Sequence, residues 1–518
     1  MFRLTAQFVL LLAFLVSVAL LRARAQGTNT QPTSAQTAND QNANGAPPAA
    51  SGLDTTTQMS ENPPLSGLDQ PRFEPGFGAR SYLAPKVELN EAIDSNATGN
   101  FSSNTNITET TRALGSLDLQ KLWKRHPLDL DYIAGVDWYN NTGGHVYQVQ
   151  ALEGTQRFLW RTGQLALRDS FSYLPEGAFG FGSFGGAGGA FGASGGIPGG
   201  ITEPGIFSNG QFGSIGTQPR ITNMGIVDVT QYLSPRTSVV LTGGYGVTDF
   251  LNNSSTANCA ATTGCYFNSQ MAIGEAGFNY QISRRNQVAV VYAYEQIHFP
   301  TELAGSIHVN IWQLLYGHRI SGKLDFLIGG GPELVRRTQS SEELFGQIPL
   351  GLPCTTTSGG LLPCVTTTSR FITGSARMSL RYHVSARTEL MLTYLRYISP
   401  GSGFFGGANT DVVRLAASHS LARRWTVVAD MGYAQNSRLL TATAAVAAGT
   451  SHYHYWYAGG GVHRVLGRYF GAFASYQFDE FGFSDQGCTG AGKNCGRSFG
   501  RNVLLLGVHW TPNPIRLD

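Results

Sequence analysis

Charge is scarce in this chain of 518 residues: Asp, Glu, Lys and Arg together make up 13% of it, against about a quarter of an ordinary soluble domain. Also missing is any internal run of about 20 apolar residues, which excludes a helical membrane protein. Neither sign of charge dominates, with 36 Lys and Arg against 33 Asp and Glu, and three of the bases (Arg3, Arg22, Arg24) lie in a segment expected to be removed. The mature chain is therefore near neutral, and no surface suited to nucleic acid is implied.

Chemistry-bearing constellations are lacking too. Gly180-Phe181-Gly182-Ser183-Phe184-Gly185 fits G-x-G-x-x-G and Gly192-Ala193-Ser194-Gly195-Gly196 fits G-x-S-x-G. Both sit in a Gly-dominated tract, neither between a strand and a helix, so they carry no phosphate or nucleophile reading. His452 and His454 share a face and read as interfacial polar residues rather than a metal pair. Glu275 and Glu295 face inward on neighbouring strands, as lumen charges of a channel do. No catalytic residue, cofactor or metal is expected.

Cysteine is sparse, and its six copies fall into local pairs: Cys259 with Cys265, Cys354 with Cys364, and Cys488 with Cys495. None has C-x-x-C spacing and no His accompanies them within a loop, which argues against metal. In an oxidising compartment they read as three loop-closing disulfides, each worth roughly 2 to 3 kcal/mol.

What the chain does have is glycine (65), Tyr (21), Phe (29) and one turn written repeatedly. Leu233-Ser234-Pro235-Arg236 returns as Ile282-Ser283-Arg284-Arg285, Ile320-Ser321-Gly322-Lys323 and Val384-Ser385-Ala386-Arg387. It also returns as Leu421-Ala422-Arg423-Arg424 and Val465-Leu466-Gly467-Arg468, and two looser copies, Trp160-Arg161-Thr162-Gly163 and Trp123-Lys124-Arg125-His126, sit earlier. Each follows and precedes a run with period-two alternation, the pattern of a hairpin. The connections at the other strand ends are longer and rich in Gly, Ser, Thr and Asn. Short turns on one rim and long loops on the other describe an all-β transmembrane up-and-down barrel of about 18 strands, with 16 as the alternative and both ends in the periplasm. In the strand from Ser369, Ile372, Gly374, Ala376, Met378, Leu380 and Tyr382 share the outer face, while Arg377 and Arg381 share the inner one. Arg377, Arg381 and Arg414, set against Glu275 and Glu295, would impose a transverse field on the lumen. Tyr453, Tyr455 and Tyr457 are expected in an aromatic girdle at the outer rim.

The segments are expected as follows. Residues 1–25 carry Arg3, an apolar core and Ala23-Arg24-Ala25, the pattern of a cleaved signal peptide. Residues 26–80 are polar and read as a disordered periplasmic lead. The barrel spans 81–511, and 512–518 form a short tail. Between Pro175 and Pro219 lies a Gly/Phe loop whose Phe179, Phe181, Phe184 and Phe191 are too apolar to hang in water, so they are expected to fold inward and narrow the channel.

Three stretches carry a family likeness: Leu65-Ser66-Gly67-Leu68-Asp69-Gln70-Pro71, Phe171-Ser172-Tyr173-Leu174-Pro175-Glu176, and Tyr316-Gly317-His318-Arg319-Ile320-Ser321-Gly322-Lys323-Leu324. From Leu65 to Thr511 the chain resembles the porin-like outer-membrane β-barrel proteins of acidobacterial type, most of them without assigned function. The resemblance implies a barrel in the outer membrane, in contact with lipid and lipopolysaccharide and placed there by the barrel-assembly machinery, with homo-oligomerisation left open. It transfers no catalytic residue. One departure is that such barrels usually end in an aromatic residue, whereas Trp510 is followed by a tail. The function expected is passive diffusion of small hydrophilic solutes, the alternatives being a structural or adhesion barrel with a plugged lumen and, third, an outer-membrane hydrolase.

Overall fold

Alternation of apolar and polar side chains cannot be buried by one strand alone, and here each alternating run pairs with the next. In a computed structural model of the chain, the strands are β1 (Tyr82–Asp94), β2 (Thr108–Lys121), β3 (Leu128–Tyr139), β4 (Val146–Trp160), β5 (Gly163–Leu174), β6 (Arg220–Ser234) and β7 (Thr237–Phe250). They continue as β8 (Ser269–Ser283), β9 (Asn286–Phe299), β10 (Gly305–Ser321), β11 (Leu324–Leu344), β12 (Ile348–Pro349), β13 (Cys364–Ser385) and β14 (Thr388–Ser399). The last are β15 (Ala408–Ala422), β16 (Trp425–Arg438), β17 (His452–Val465), β18 (Phe470–Phe483), β19 (Ser498–Trp510) and β20 (Ile515–Arg516). The structure describes residues 64–66, 81–96, 107–140, 146–174, 220–251, 268–300, 305–344, 348–349, 364–385, 387–401, 405–440, 452–483 and 498–517.

Setting aside the two-residue strands β12 and β20, each strand pairs antiparallel with its neighbour in sequence, and β1 pairs with both β2 and β19. The closing register runs from Val87 opposite Trp510 to Asp94 opposite Val503. The result is a closed barrel of 18 long strands, which leaves no open sheet edge. Sixteen strands is thereby excluded. The tail is not loose: Ile515 and Arg516 pair with Leu83 and Tyr82, and the Lys121 ammonium donates to the Leu517 carbonyl at 2.5 Å. The pairing that β19 begins with β1 therefore resumes beyond Trp510.

The repeated turn works through its serine. Ser234, Ser283, Ser321 and Ser385 each accept on Oγ the backbone N–H two residues on, from Arg236, Arg285, Lys323 and Arg387, all at 3.2 Å. This local bond replaces the ladder bond lost at the turn, and the register shifts by one residue just before each of these serines. Neighbouring turns are also stitched together. The N–H groups of Gln281, Arg319, His383 and Ser420 donate to the carbonyls of Arg236, Arg285, Lys323 and Arg387 at 2.7 to 2.8 Å. The short-turn rim is thus one hydrogen-bonded ring over this arc.

Outward-facing side chains form an apolar band: Val136, Leu241, Phe278, Val290, Leu314, Ile328, Met431, Leu504, Leu506 and Val508 are all exposed. In water such a surface would not persist; hydrocarbon satisfies it. Exposed aromatics flank the band, with Tyr132, Tyr280, Tyr316, Tyr382, Trp425 and Trp510 toward the short turns and Trp138, Tyr245, Tyr294 and Tyr433 toward the long loops. Polar partners hold several outer-face rings: Tyr316 donates to Asn286 at 2.8 Å and the Trp456 indole to Glu480 at 2.7 Å.

Tyr453, Tyr455 and Tyr457 do not join these girdles. They point inward and are all but fully buried. The cause lies in register: Tyr457 stands opposite Asp479, and a carboxylate belongs on the inner face.

Candidate functional site: the barrel interior

Strand parity sets the inner face, and the inner face divides into three zones. The first, toward the long loops, is apolar. Ile297, Phe299, Ile307, Val309, Ile398, Leu439 and Leu440 pack together from strands that are not all neighbours. Beside them Phe405, Tyr453, Phe481, Phe483 and Phe499 form a second cluster. Phe405 lies between β14 and β15, where the chain turns inward. Gly401 and Gly407 adopt φ of 81° and 82°, a conformation that L side chains resist, and a Cβ on Gly407 would overlap Ile307. Phe405 then packs against Tyr453, the ring centroids 5.0 Å apart and the planes tilted by 52°. Arg337 reinforces the arrangement by donating to the Leu439 carbonyl across the width of several strands.

The middle zone is ionic. Arg414 donates from Nε and Nη2 to Asp430 at 3.1 and 2.5 Å, and the Tyr457 hydroxyl donates to the same carboxylate at 2.8 Å. Tyr455 donates to Asp479 at 2.9 Å. Further round the ring, Arg501 pairs with Asp94, Arg112 with Asp137 at 3.1 Å, and Arg168 with Asp228 at 2.8 Å. Buried charges need such partners, since desolvation otherwise outweighs what a charge returns. One group stands apart. Glu333 on β11 is 0% exposed, and neither of its carboxylate oxygens meets a hydrogen-bond donor among the described residues.

All five charges singled out from sequence point inward, but all five are buried: Glu275, Glu295, Arg377, Arg381 and Arg414. Arg414 is matched by Asp430, Arg381 by Glu389 at 3.3 Å, and Arg377 reaches Gln313 at 3.4 Å and is coupled to Glu275. Arg381 and Arg414 are thus paired locally on adjacent strands, whereas Arg377 on β13 and Glu275 on β8 face each other over the strands between them, and Glu295 has Glu333 as its charged neighbour.

The third zone lies nearer the short turns and is the part that water reaches. On β2, β3 and β4, Asp118, Asp131 and Glu153 stand directly opposite one another in register, so their Cβ atoms are separated by about 5 Å at each step. Glu153 and, further down the same strand, Arg157 are exposed on the inner face. Tyr82 donates to Asp118 at 3.1 Å. The sequence reading missed this row. Its signal was the inner-face parity of each strand combined with the short β2–β3 turn, which fixes register.

Two further features lie in the short-turn half. His463 and His509 stack at 5.1 Å on the inner face. On the β8–β11 wall, Leu65 and Ser66 of the lead lie inside the barrel and bond to Asn279. Of the lead expected over 26–80, only Pro64–Ser66 falls among the described residues, and this stretch is docked rather than free.

The remaining sequence expectations fall outside the described residues. That holds for Phe179, Phe181, Phe184 and Phe191, and for Cys259, Cys265, Cys354, Cys488 and Cys495; Cys364 opens β13, without a described side chain. Among the described residues no group of three or more His, Cys, Asp or Glu is placed to hold a metal ion.

No protein-family model matches the chain, and no curated protein matches it. Among solved structures it is similar to the ferric-catecholate import receptor Fiu from E. coli K12, with 10% identity, coverage of 86% of this chain and 82% of that one, and a TM-score of 0.40. Two proteins of Pseudomonas aeruginosa also match. OpdQ does so at 9% identity over 84% of this chain and 98% of its own, TM-score 0.37. OccK2 (OpdF) in complex with glucuronate does so at 11% identity over 85% and 98%, TM-score 0.37. At such values the likeness adds nothing to what strand pairing already establishes.

Proposed function

We propose that this protein is an outer-membrane channel for small hydrophilic solutes, conducting along the polar wall of β2 to β6 rather than through a wide central pore. The observation that carries this reading is the registered row Asp118, Asp131 and Glu153, with Glu153 and Arg157 open to solvent inside the barrel. Like charges placed directly opposite each other tend to destabilise a sheet, and rings of acidic side chains are what a cation-conducting path uses. The apolar band and paired aromatic girdles support a lipid bilayer around it, and the cleaved leader expected from sequence supports secretion to the outer membrane. Lipopolysaccharide and the assembly machinery are the partners this location brings. No catalytic step belongs to the reading.

The test is conductance of the purified, refolded barrel in a planar bilayer. Discrete steps with a cation preference are expected. A second reading, a structural barrel with a closed lumen, is favoured by the apolar clusters around Phe405 and Phe299. It would be established by a protein that inserts, shows the heat-dependent gel mobility of a closed barrel, and conducts nothing.

A further inference from the structure

Asn279 on β8 does three things at once. Its Oδ1 accepts the backbone N–H of Leu65 at 2.9 Å and of Ser66 at 3.0 Å, and its Nδ2 donates to Ser66 Oγ at 2.6 Å. The Leu65 side chain fills a socket made by Ala289, Val291, Leu315 and Leu327, contributed by β9, β10 and β11. Two glycines make the room. A Cβ on Gly317 would lie 2.8 Å from Leu65 Cδ2, and one on Gly277 would overlap Ser66 itself. An amide aimed at two successive N–H groups and a hydroxyl, over an apolar hole flanked by missing side chains, is a peptide-binding pocket.

The pocket is not an extension of the first strand. In the ring, β8 to β10 stand on the far side from β1, so Leu65 and Ser66 reach the wall from across the short-turn mouth. Every wall residue involved lies within a few positions of a short turn, which places the pocket inside that mouth and level with the acidic row on the opposite wall.

We propose that the β8–β11 wall carries a specific pocket for a Leu-Ser peptide, that its resident ligand is the chain's own Leu65–Ser66, and that this self-ligand narrows the short-turn half of the lumen. The occupant is small, tethered and held by three hydrogen bonds and one apolar side chain, a set that a single change on the ligand side can undo. Leu65→Asp places a charge in the socket without touching any wall residue, so the barrel itself has no reason to misfold.

The narrowing rests on the channel reading above; the docking does not, and the experiment separates them. Ser66→Cys is made alone and with Leu65→Asp, and labelling of that one site by a bulky, impermeant maleimide is followed by mass spectrometry of its peptide. Slow labelling in the single variant and labelling on the order of tenfold faster in the double variant are expected, the factor produced by about 1.4 kcal/mol of lost docking. Equal, rapid labelling in both overturns the pocket. Single-channel conductance of Leu65→Asp, and of Gly317→Leu as a wall-side check, is expected to exceed that of the unmodified protein. Unchanged conductance with faster labelling keeps the pocket and overturns the narrowing. No conductance in any variant, with the labelling difference intact, counts against the channel reading and leaves the docking established.

Discussion

Arg501 on β19 donates from Nε to Asp94 on β1 at 2.7 Å, so the seam that closes the barrel is bridged on its inner face by an ion pair. Both side chains are buried. The seam is also pinned by backbone: Ser95 donates to the Asn502 carbonyl at 3.0 Å, and Asn502 to Ser95 Oγ at 2.8 Å. Removing one member of a buried pair strands the other, at a cost of about 3–5 kcal/mol. Arg501→Met should therefore lower the temperature at which the folded gel band is lost and the urea midpoint of unfolding. Adding Asp94→Asn should recover much of the loss. A single variant as stable as the parent would mean the seam does not depend on this pair.

Glu333 predicts the opposite sign. Glu333 is buried with no hydrogen-bond partner among the described residues, and the attraction of Arg396 is set against the like charge of Glu295, so Glu333→Leu should raise the urea midpoint, by an amount corresponding to about 1–3 kcal/mol. Its neighbours in register, Ile311 and Thr373, leave an apolar and a small side chain beside it. A fall in stability would show that the carboxylate is needed where it stands.

How much of this could be read from the chain depends on which physical constraint a residue meets. Leu128–Tyr139, Thr237–Phe250 and His452–Val465 are strands with the bounds their alternation predicts, because a strong period-two pattern flanked by turn residues leaves few alternatives. The faces of β13 are also as expected, since Arg377 and Arg381 cannot face lipid. Tyr453, Tyr455 and Tyr457 went to the wrong face because tyrosine suits both a membrane interface and a packed interior. Alternation says that they share a face but not which one. Only pairing with Asp479 and Asp430 decides it, and that is information from neighbouring strands. The docked lead was illegible for a different reason: three residues in a polar stretch have no periodicity, and their socket is assembled from four strands more than 200 positions away in sequence.

The acidic row makes a prediction about ions. Asp118 and Asp131 are half-buried and Glu153 is exposed on the same wall, so the row should enrich cations near the short-turn mouth, more strongly at low salt than at high. In a KCl gradient, Asp118→Asn, Asp131→Asn and Glu153→Gln together should shift the reversal potential toward anions. An unchanged permeability ratio would remove the row from the conduction path.

Phe405 is the most direct check on whether the long-loop half limits flow. It is fully buried, packs against Tyr453, and is carried into the lumen by a segment whose two glycines have positive φ. That segment is anchored independently of the ring: Phe405 donates its N–H to the Gly401 carbonyl at 3.1 Å, and Leu439 donates to the Gly407 carbonyl at 3.0 Å. Truncating the ring should therefore leave the backbone path in place and open a void that is lined by Tyr453, Phe481 and Phe483. Phe405→Ser adds a hydroxyl that lets water enter the void, so conductance should rise while the gel shift on heating survives. Gly407→Val is the control, because it forces the backbone out of its conformation and against Ile307, and should displace the whole segment with a larger rise. If neither variant conducts more than the parent, the apolar zone lies beside the path and not across it, and the limiting section must be sought at the short-turn mouth.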